Sequence, residues 1–128
     1  GLPCDSPEGV LAAAQELLAW GPRLVVVTGL LFQPGVVESL AVTRTAAWRA
    51  RQPRIEAPAF GAGDTFAAIY LGRYLEAPDP ARALSLAAAS AAEILAETRG
   101  ELALIPAQNA IVAPQRVVAA DPVPLSTL

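Results

Sequence analysis

The feature that most restricts which fold this chain can adopt is a short apolar run at residues 24–28, with sequence LVVVT. Consecutive valines without alternating polar residues are typical of a parallel strand buried on both faces, and the run stops at Gly29. An amphipathic helix precedes it, with Ser6 and Pro7 at its start and Gly21 just after its end. Because a helix followed by a central strand is half of an α/β unit, the sequence predicts an α/β fold.

The elements predicted after this first unit fit within a single domain. Val36–Val42 and residues 46–51 are predicted to form a β-hairpin, because β-branched and aromatic residues recur there between polar ones. Residues 65–75 are apolar nearly all round, which predicts a buried helix. An alanine-rich helix is predicted over residues 79–98, and beyond Pro114 the proline-rich chain is expected to end as a loosely docked tail.

Residues 61–65, with sequence GAGDT, place a carboxylate beside a turn of exposed backbone amides. Gly61 and Gly63 lack the Cβ atoms that keep a phosphate away from the backbone, and the first N–H groups of a helix bind anions. Asp64 at this turn is suited to accept the proton of an attacking hydroxyl, as phosphoryl transfer requires. The same residues are also typical of a plain loop that ends in a helix-capping Asp64.

Composition excludes several kinds of catalysis. The chain has no His and no Lys, so a Ser-His-Asp triad, a Cys-His pair, a lysine Schiff base and a Walker A loop are all impossible within it. Asp and Glu remain as candidates for proton transfer. Cys4 is the only cysteine and has no partner for an intramolecular disulfide, which favours a reducing, cytoplasmic environment.

Charge and apolar content indicate which partners to expect. With a net charge of −3 and scattered arginines, the chain lacks the basic stripe that nucleic acids require. No apolar run reaches the roughly 18 residues of a membrane-spanning helix, so we expect no membrane partner. An apolar content of 54% with 16% charged residues is high for a lone domain of 128 residues. We therefore expect an oligomer subunit or a piece of a longer polypeptide, and the absence of Met favours the second.

Four stretches together resemble the C-terminal half of pyridoxal kinases, which belong to the ribokinase-like superfamily. They are GAGD at residues 61–64 followed by TFAA, the Gly21-Pro22 pair before the valine run, Trp48 in the hairpin, and ELALIPAQ at residues 101–108. The first is shared with the whole superfamily, whereas the final Ala-Gln pair favours pyridoxal kinases over sugar kinases. The resemblance implies that residues 1–128 are the C-terminal portion of one ribokinase-like three-layer domain, without its N-terminal half. A parallel central strand, a hairpin and helices packed on the sheet would make up this portion.

The resemblance also implies an activity, which is transfer of the ATP γ-phosphate to the 5′-hydroxyl of pyridoxal. The product is pyridoxal 5′-phosphate, made in vitamin B6 salvage. Asp64 would contact the substrate as general base, and Mg²⁺ would bridge the nucleotide phosphates, with no metal ligand assigned in this chain. The positions that match the family's anion hole are Gly61, Ala62 and Gly63, and those that match its ATP-binding residues are Thr28, Pro53, Arg54 and Ile55.

Relatives of this kind are typically dimers, so the resemblance implies a homodimer for the full-length protein. Because the family's first half is absent from this chain, we also expect this segment alone to be inactive. Two alternatives remain open. A hydroxymethylpyrimidine kinase or a ribokinase-type sugar kinase would use the same Asp64 and the same anion hole with another acceptor. A non-enzymatic α/β interaction module would use Asp64 only as a helix cap.

Overall fold

The computed structural model describes residues 1–57 and 59–125, which contain helices packed on both faces of one sheet. The elements follow one another along the chain as α1 (Pro7–Ala19), β1 (Val25–Gln33), β2 (Val36–Val42), β3 (Ala47–Pro53), α2 (Ala62–Glu76), α3 (Pro80–Glu97), α4 (Gln108–Val112) and β4 (Ala120–Val123). The α/β class is therefore confirmed, and so is the hairpin formed by β2 and β3.

The sheet has the strand order β1-β2-β3-β4. Each neighbouring pair is antiparallel, with Val25 opposite Val42 between β1 and β2. Within the described residues β1 therefore has no parallel neighbour and forms one edge of the sheet, although its sequence predicted a parallel central strand. The strand also does not stop at Gly29 but continues to Gln33, because a shift in register between Val27 and Leu30 absorbs the glycine.

The sheet lies between two apolar cores. On one face, α1 packs Leu11 and Leu18 against Leu40 and Val42 of β2. On the other face lie α2 and α3, where alanines of α3 meet Ala41 and Ala50 of the sheet. Small side chains let α3 approach the strands closely, and it contacts β2, β3 and β4.

The predicted starts of two helices are confirmed by their capping bonds. The Oγ atom of Ser6 accepts the N–H of Gly9 at 3.1 Å. Asp79 Oδ1 accepts the N–H groups of Ala81 and Arg82, each at 3.1 Å. These side chains satisfy backbone donors that have no acceptor in the first turn of a helix, which fixes where α1 and α3 begin.

The structure corrects two other predictions. The helix α2 is not buried all round, because the side chains of Leu71 and Leu75 are 57% and 74% exposed. The expected loose tail instead contains β4, which pairs with the outer edge of β3 and places Val123 opposite Ala47. Pro122 is compatible with this strand because β4 is an edge in the described residues, and edge strands are where sheets accommodate proline.

Candidate active site

The turn before α2 presents backbone donors to solvent. Gly61 is the N-cap residue, and its φ of 92° is a left-handed conformation that favours glycine. The first hydrogen bond of the helix runs from the N–H of Thr65 to the carbonyl of Gly61, at 2.9 Å. The N–H groups of Ala62, Gly63 and Asp64 come before that bond and have no acceptor within the helix. An anion bound at this terminus would meet three donors and the positive end of the helix dipole.

Asp64 lies in the first turn of α2 and is exposed. The helix begins at Ala62, so Asp64 is the third helical residue and not the N-cap. The N-cap is Gly61, and among the described residues no side chain caps this helix terminus. The interpretation of Asp64 as a helix cap is therefore wrong, because the helix begins at Ala62, before the apolar run from which its start was expected.

Gly63 has no structural reason to be a glycine. Its φ is not positive, and a Cβ atom built at this position meets nothing within 4 Å. Inside a helix, glycine is less favourable than alanine by about 1 kcal/mol. A Cβ on a helix points towards the N-terminus, so a methyl group here would enter the space beside the free donors. Neither packing nor backbone conformation in the part of the chain that the structure describes explains the glycine, whereas a ligand at the helix terminus would.

A second candidate feature is a cavity of about 200 Å³ that brings together distant parts of the chain. Pro53, Arg54 and Ile55, which are three of the four predicted ATP-binding residues, line it with Gly29. The fourth, Thr28, is exposed in β1 next to Gly29 but does not line the cavity. Arg54 donates its N–H to the carbonyl of Gly35 at 2.9 Å, which attaches this segment to the turn between β1 and β2.

The structure adds lining residues that the sequence analysis missed. Gln52 belongs to the same cavity, and its Oε1 atom is buried without a hydrogen-bond partner in the described part of the chain. Its place beside Pro53 was the signal that could have found it. Ala92 and Leu95 of α3 also line the cavity, but nothing in the pattern of an alanine-rich helix distinguishes them from core residues.

The tyrosines of α2 have structural roles. Tyr70 is buried and donates its hydroxyl to the carbonyl of Pro80 at 3.1 Å. Burial, with smaller effects from Tyr74 and Asp79, raises the pKa of Tyr70 well above its usual range. The phenol therefore stays neutral and serves packing.

No group of three or more Asp, Glu or Cys side chains in the described residues is arranged to hold a metal ion. None of the helices that the structure describes is long and apolar enough to cross a membrane.

Comparison with known proteins gives a consistent result. No protein-family model matches the chain. It is 41% identical over 114 residues to a pyridoxal kinase of Rubrobacter xylanophilus, a match that covers 83% of this chain and 39% of the relative. The solved pyridoxal kinase of Trypanosoma brucei superposes with a TM-score of 0.87 at 21% identity, over 96% of this chain and 47% of that one. The pyridoxal kinase of Leishmania donovani in complex with ADP and pyridoxamine gives a TM-score of 0.82 at 20% identity, over 93% and 44% of the two chains.

These matches confirm the resemblance to pyridoxal kinases that the sequence motifs predicted. They also confirm the fold as a portion of the ribokinase-like architecture. The chain spans about two fifths of the length of the curated relatives it matches, 39% of the first and 42% of the second.

Proposed function

We propose that this chain, which resembles the C-terminal half of pyridoxal kinases, is part of an ATP-dependent kinase that phosphorylates pyridoxal. In this reaction the 5′-hydroxyl oxygen of pyridoxal bonds to the γ-phosphorus of ATP. The bond from that phosphorus to the β–γ bridging oxygen breaks, and ADP leaves. The proton of the hydroxyl passes to Asp64, and the product is pyridoxal 5′-phosphate. Residues 1–128 would form the C-terminal portion of a single kinase domain.

The observation that carries this proposal is the combination of free donors, an exposed carboxylate and an unexplained glycine at the start of α2. The N–H groups of Ala62, Gly63 and Asp64 have no acceptor in the helix and would stabilise charge on the transferred phosphoryl group. Gly61 holds the turn in its left-handed conformation. Asp64 is exposed beside these donors, so a substrate hydroxyl can approach its carboxylate.

The cavity at Pro53, Arg54 and Ile55 supports a role for this segment in nucleotide binding, with Thr28 exposed close by. Its volume of about 200 Å³ is below the roughly 300 to 1,000 Å³ of complete ligand pockets, so this chain would supply only part of the nucleotide site. The unpartnered Oε1 atom of Gln52 is an acceptor suited to an exocyclic amino group such as that of adenine.

Mg²⁺ fits this arrangement as an ion held chiefly by nucleotide phosphates. Magnesium in kinase sites is usually bound by substrate phosphates, waters and one or two carboxylates. The described residues offer no protein cage of three acidic groups, and Asp64 is the exposed carboxylate at the proposed phosphate position. When bound, the ion would neutralise charge on the phosphates.

We further propose that the whole protein is a cytoplasmic homodimer and that this segment alone does not turn over pyridoxal. The exposed, unpaired Cys4 is compatible with a reducing compartment. The small nucleotide cavity and the length of the relatives both indicate that further residues are needed to complete the site.

The experiment that tests this proposal measures ATP-dependent phosphorylation by the longest open reading frame that contains this segment. Pyridoxal, hydroxymethylpyrimidine and ribose would be offered together as acceptors, and each product quantified. Preferred formation of pyridoxal 5′-phosphate is the expected result. Preference for another acceptor would be compatible with the proposed roles of Asp64 and the anion hole but would change the assigned substrate. A folded protein that binds ATP and phosphorylates none of them would favour an interaction module.

A further inference from the structure

The glycine turn before α2 has a single apolar neighbour from a distant part of the chain. A Cβ atom built at Gly61 lies 4.0 Å from the Cδ2 atom of Leu102, and beyond the adjoining residues no other atom of the described chain lies within 4 Å of it. This separation is an ordinary contact distance between apolar groups. Leu102 therefore packs beside the turn that presents the free donors of Ala62, Gly63 and Asp64.

The chain reaches Leu102 through a tight reversal after α3. That helix ends at Glu97, and Gly100 follows with a φ of 98°, a left-handed conformation that favours glycine. Arg99 and Glu101, on either side of the glycine, form an isolated antiparallel bridge. Leu102 comes next, is half-buried, and packs against the core formed by α2, α3 and the sheet.

A buried hydroxyl holds this segment against the end of α3. Thr98 is the C-cap residue of the helix and is 5% exposed. Its hydroxyl donates to the carbonyl of Ile94 at 2.7 Å and accepts the N–H of Ala103 at 3.2 Å. Because Ala103 directly follows Leu102, the second bond fixes the backbone that carries Leu102.

We propose that Thr98 and Leu102 are positioning residues for the anion hole. Thr98 holds the segment after α3 in place, and Leu102 supports the turn at Gly61. The proposal rests on the proposed function, because the position of the turn affects catalysis only if its donors meet a phosphoryl group. Donors of an anion hole must be fixed before the reaction, and a displacement of about 1 Å can cost about 10²-fold in rate.

Leu102→Ala in the longest open reading frame that contains this segment tests the support of the turn. Leu24→Ala is the matched control, since Leu24 is also half-buried against the same core but is not a neighbour of Gly61. Both variants should lower Tm by similar amounts. Leu102→Ala alone should lower kcat by about 10- to 10²-fold per ATP-binding molecule, with the KM for pyridoxal changed by less than about twofold. Equal kcat values in the two variants would overturn the proposal.

Variants of Thr98 test the second positioning residue. Thr98→Val removes the hydroxyl and should lower kcat by about tenfold, whereas Thr98→Ser keeps the hydroxyl and should retain at least about half of the wild-type kcat. Ser90→Ala is the control, because it removes another buried hydroxyl of α3, which donates to the carbonyl of Ala110. The control should lower stability and leave kcat within about twofold of the wild-type value. Equal kcat losses in Thr98→Val and Ser90→Ala, or no rescue by Thr98→Ser, would contradict the role of Thr98.

Hydrogen exchange of the Thr65 amide separates a failure of this proposal from a failure of the proposed function. This N–H bonds to the carbonyl of Gly61 at 2.9 Å, so its exchange without substrate reports how well the turn is held. Leu102→Ala should speed the exchange by about five- to tenfold relative to Leu24→Ala, because half of a leucine's burial is lost. Equal exchange in both variants would overturn the proposal. Faster exchange, in a protein whose wild-type form phosphorylates no acceptor, would support the packing role of Leu102 and refute the proposed function.

Discussion

Gly63→Ala is the strongest test of the anion hole, because it should raise the stability of the fold and lower the rate of catalysis. The new methyl group meets no atom within 4 Å, and the backbone at Gly63 does not need a positive φ. Replacing a helical glycine by alanine in a compatible conformation stabilises a protein by about 0.4 to 1 kcal/mol. For a protein of this size or somewhat larger, that gain corresponds to a rise in Tm of about 1 to 6 °C.

The rate of catalysis, in contrast, should fall. A methyl group at Gly63 points towards the helix N-terminus, where it would displace a bound phosphoryl group from the donors of Ala62 and Asp64. Removing one donor of this type costs about 10²- to 10³-fold in kcat, so a loss of at least that size is expected. The assay is steady-state pyridoxal phosphorylation by the longest open reading frame that contains the segment, beside its thermal unfolding.

Gly72→Ala is the matched control in the same helix. Its Cβ also meets nothing within 4 Å, and the residue lines a separate cavity of about 390 Å³ with Leu104 and Ile111. This variant should raise Tm by a similar amount and leave kcat within about twofold of the wild-type value. If Gly63→Ala keeps wild-type kcat, or if both variants lose activity equally, no phosphoryl group lies against this turn and the reasoning is refuted.

Three further variants separate catalysis from stability. Asp64→Asn should lower kcat by about 10²- to 10⁴-fold and leave ATP affinity nearly unchanged. Calorimetric titration measures that affinity, and a joint loss of ATP binding and folding would contradict the general-base role. Gly61→Ala should destabilise by about 1 to 2 kcal/mol, because alanine at a φ of 92° is strained, and an unchanged denaturant midpoint would contradict this. Ser90→Ala should lower the free energy of unfolding by about 1 to 3 kcal/mol, because the buried Ser90 hydroxyl donates to the Ala110 carbonyl at 2.6 Å. Unfolding in urea measures this loss, and an unchanged midpoint with an unchanged m-value would refute the prediction.

Local chemistry explains why many elements could be predicted from the sequence. Ser6 and Asp79 accept backbone N–H groups at the predicted helix starts, and a capping bond of this kind depends only on residues within one turn. The hairpin of β2 and β3 was predicted for the same reason, since its alternation and its short connection lie next to each other in the chain. The glycine turn with its carboxylate is likewise a contiguous motif.

The errors occurred where a prediction depended on what lies opposite in space. The tail after Pro114 became β4 because the free edge of β3 accepts it, and nothing in its own proline-rich sequence indicates that edge. Residues 65–75 of α2 are apolar nearly all round, yet Leu75 is exposed because the described residues cover only one side of the helix. For Asp64, the apolar run begins only after the carboxylate, whereas the helix already begins at Ala62, directly after the backbone turn at Gly61.

The sequence by itself determined the α/β class, the helix caps, the hairpin and the candidate phosphate turn, because each rests on contacts between residues close along the chain. It also excluded a histidine or lysine of residues 1–128 from any role in the chemistry. The tertiary structure alone decided that, within the described residues, β1 lies at one edge of the sheet and β4 at the other. It alone brought Gly29 and Ile55 to one cavity with Leu95 of α3. Contacts between distant segments depend on how whole elements pack, and the pattern within one element does not specify its neighbour.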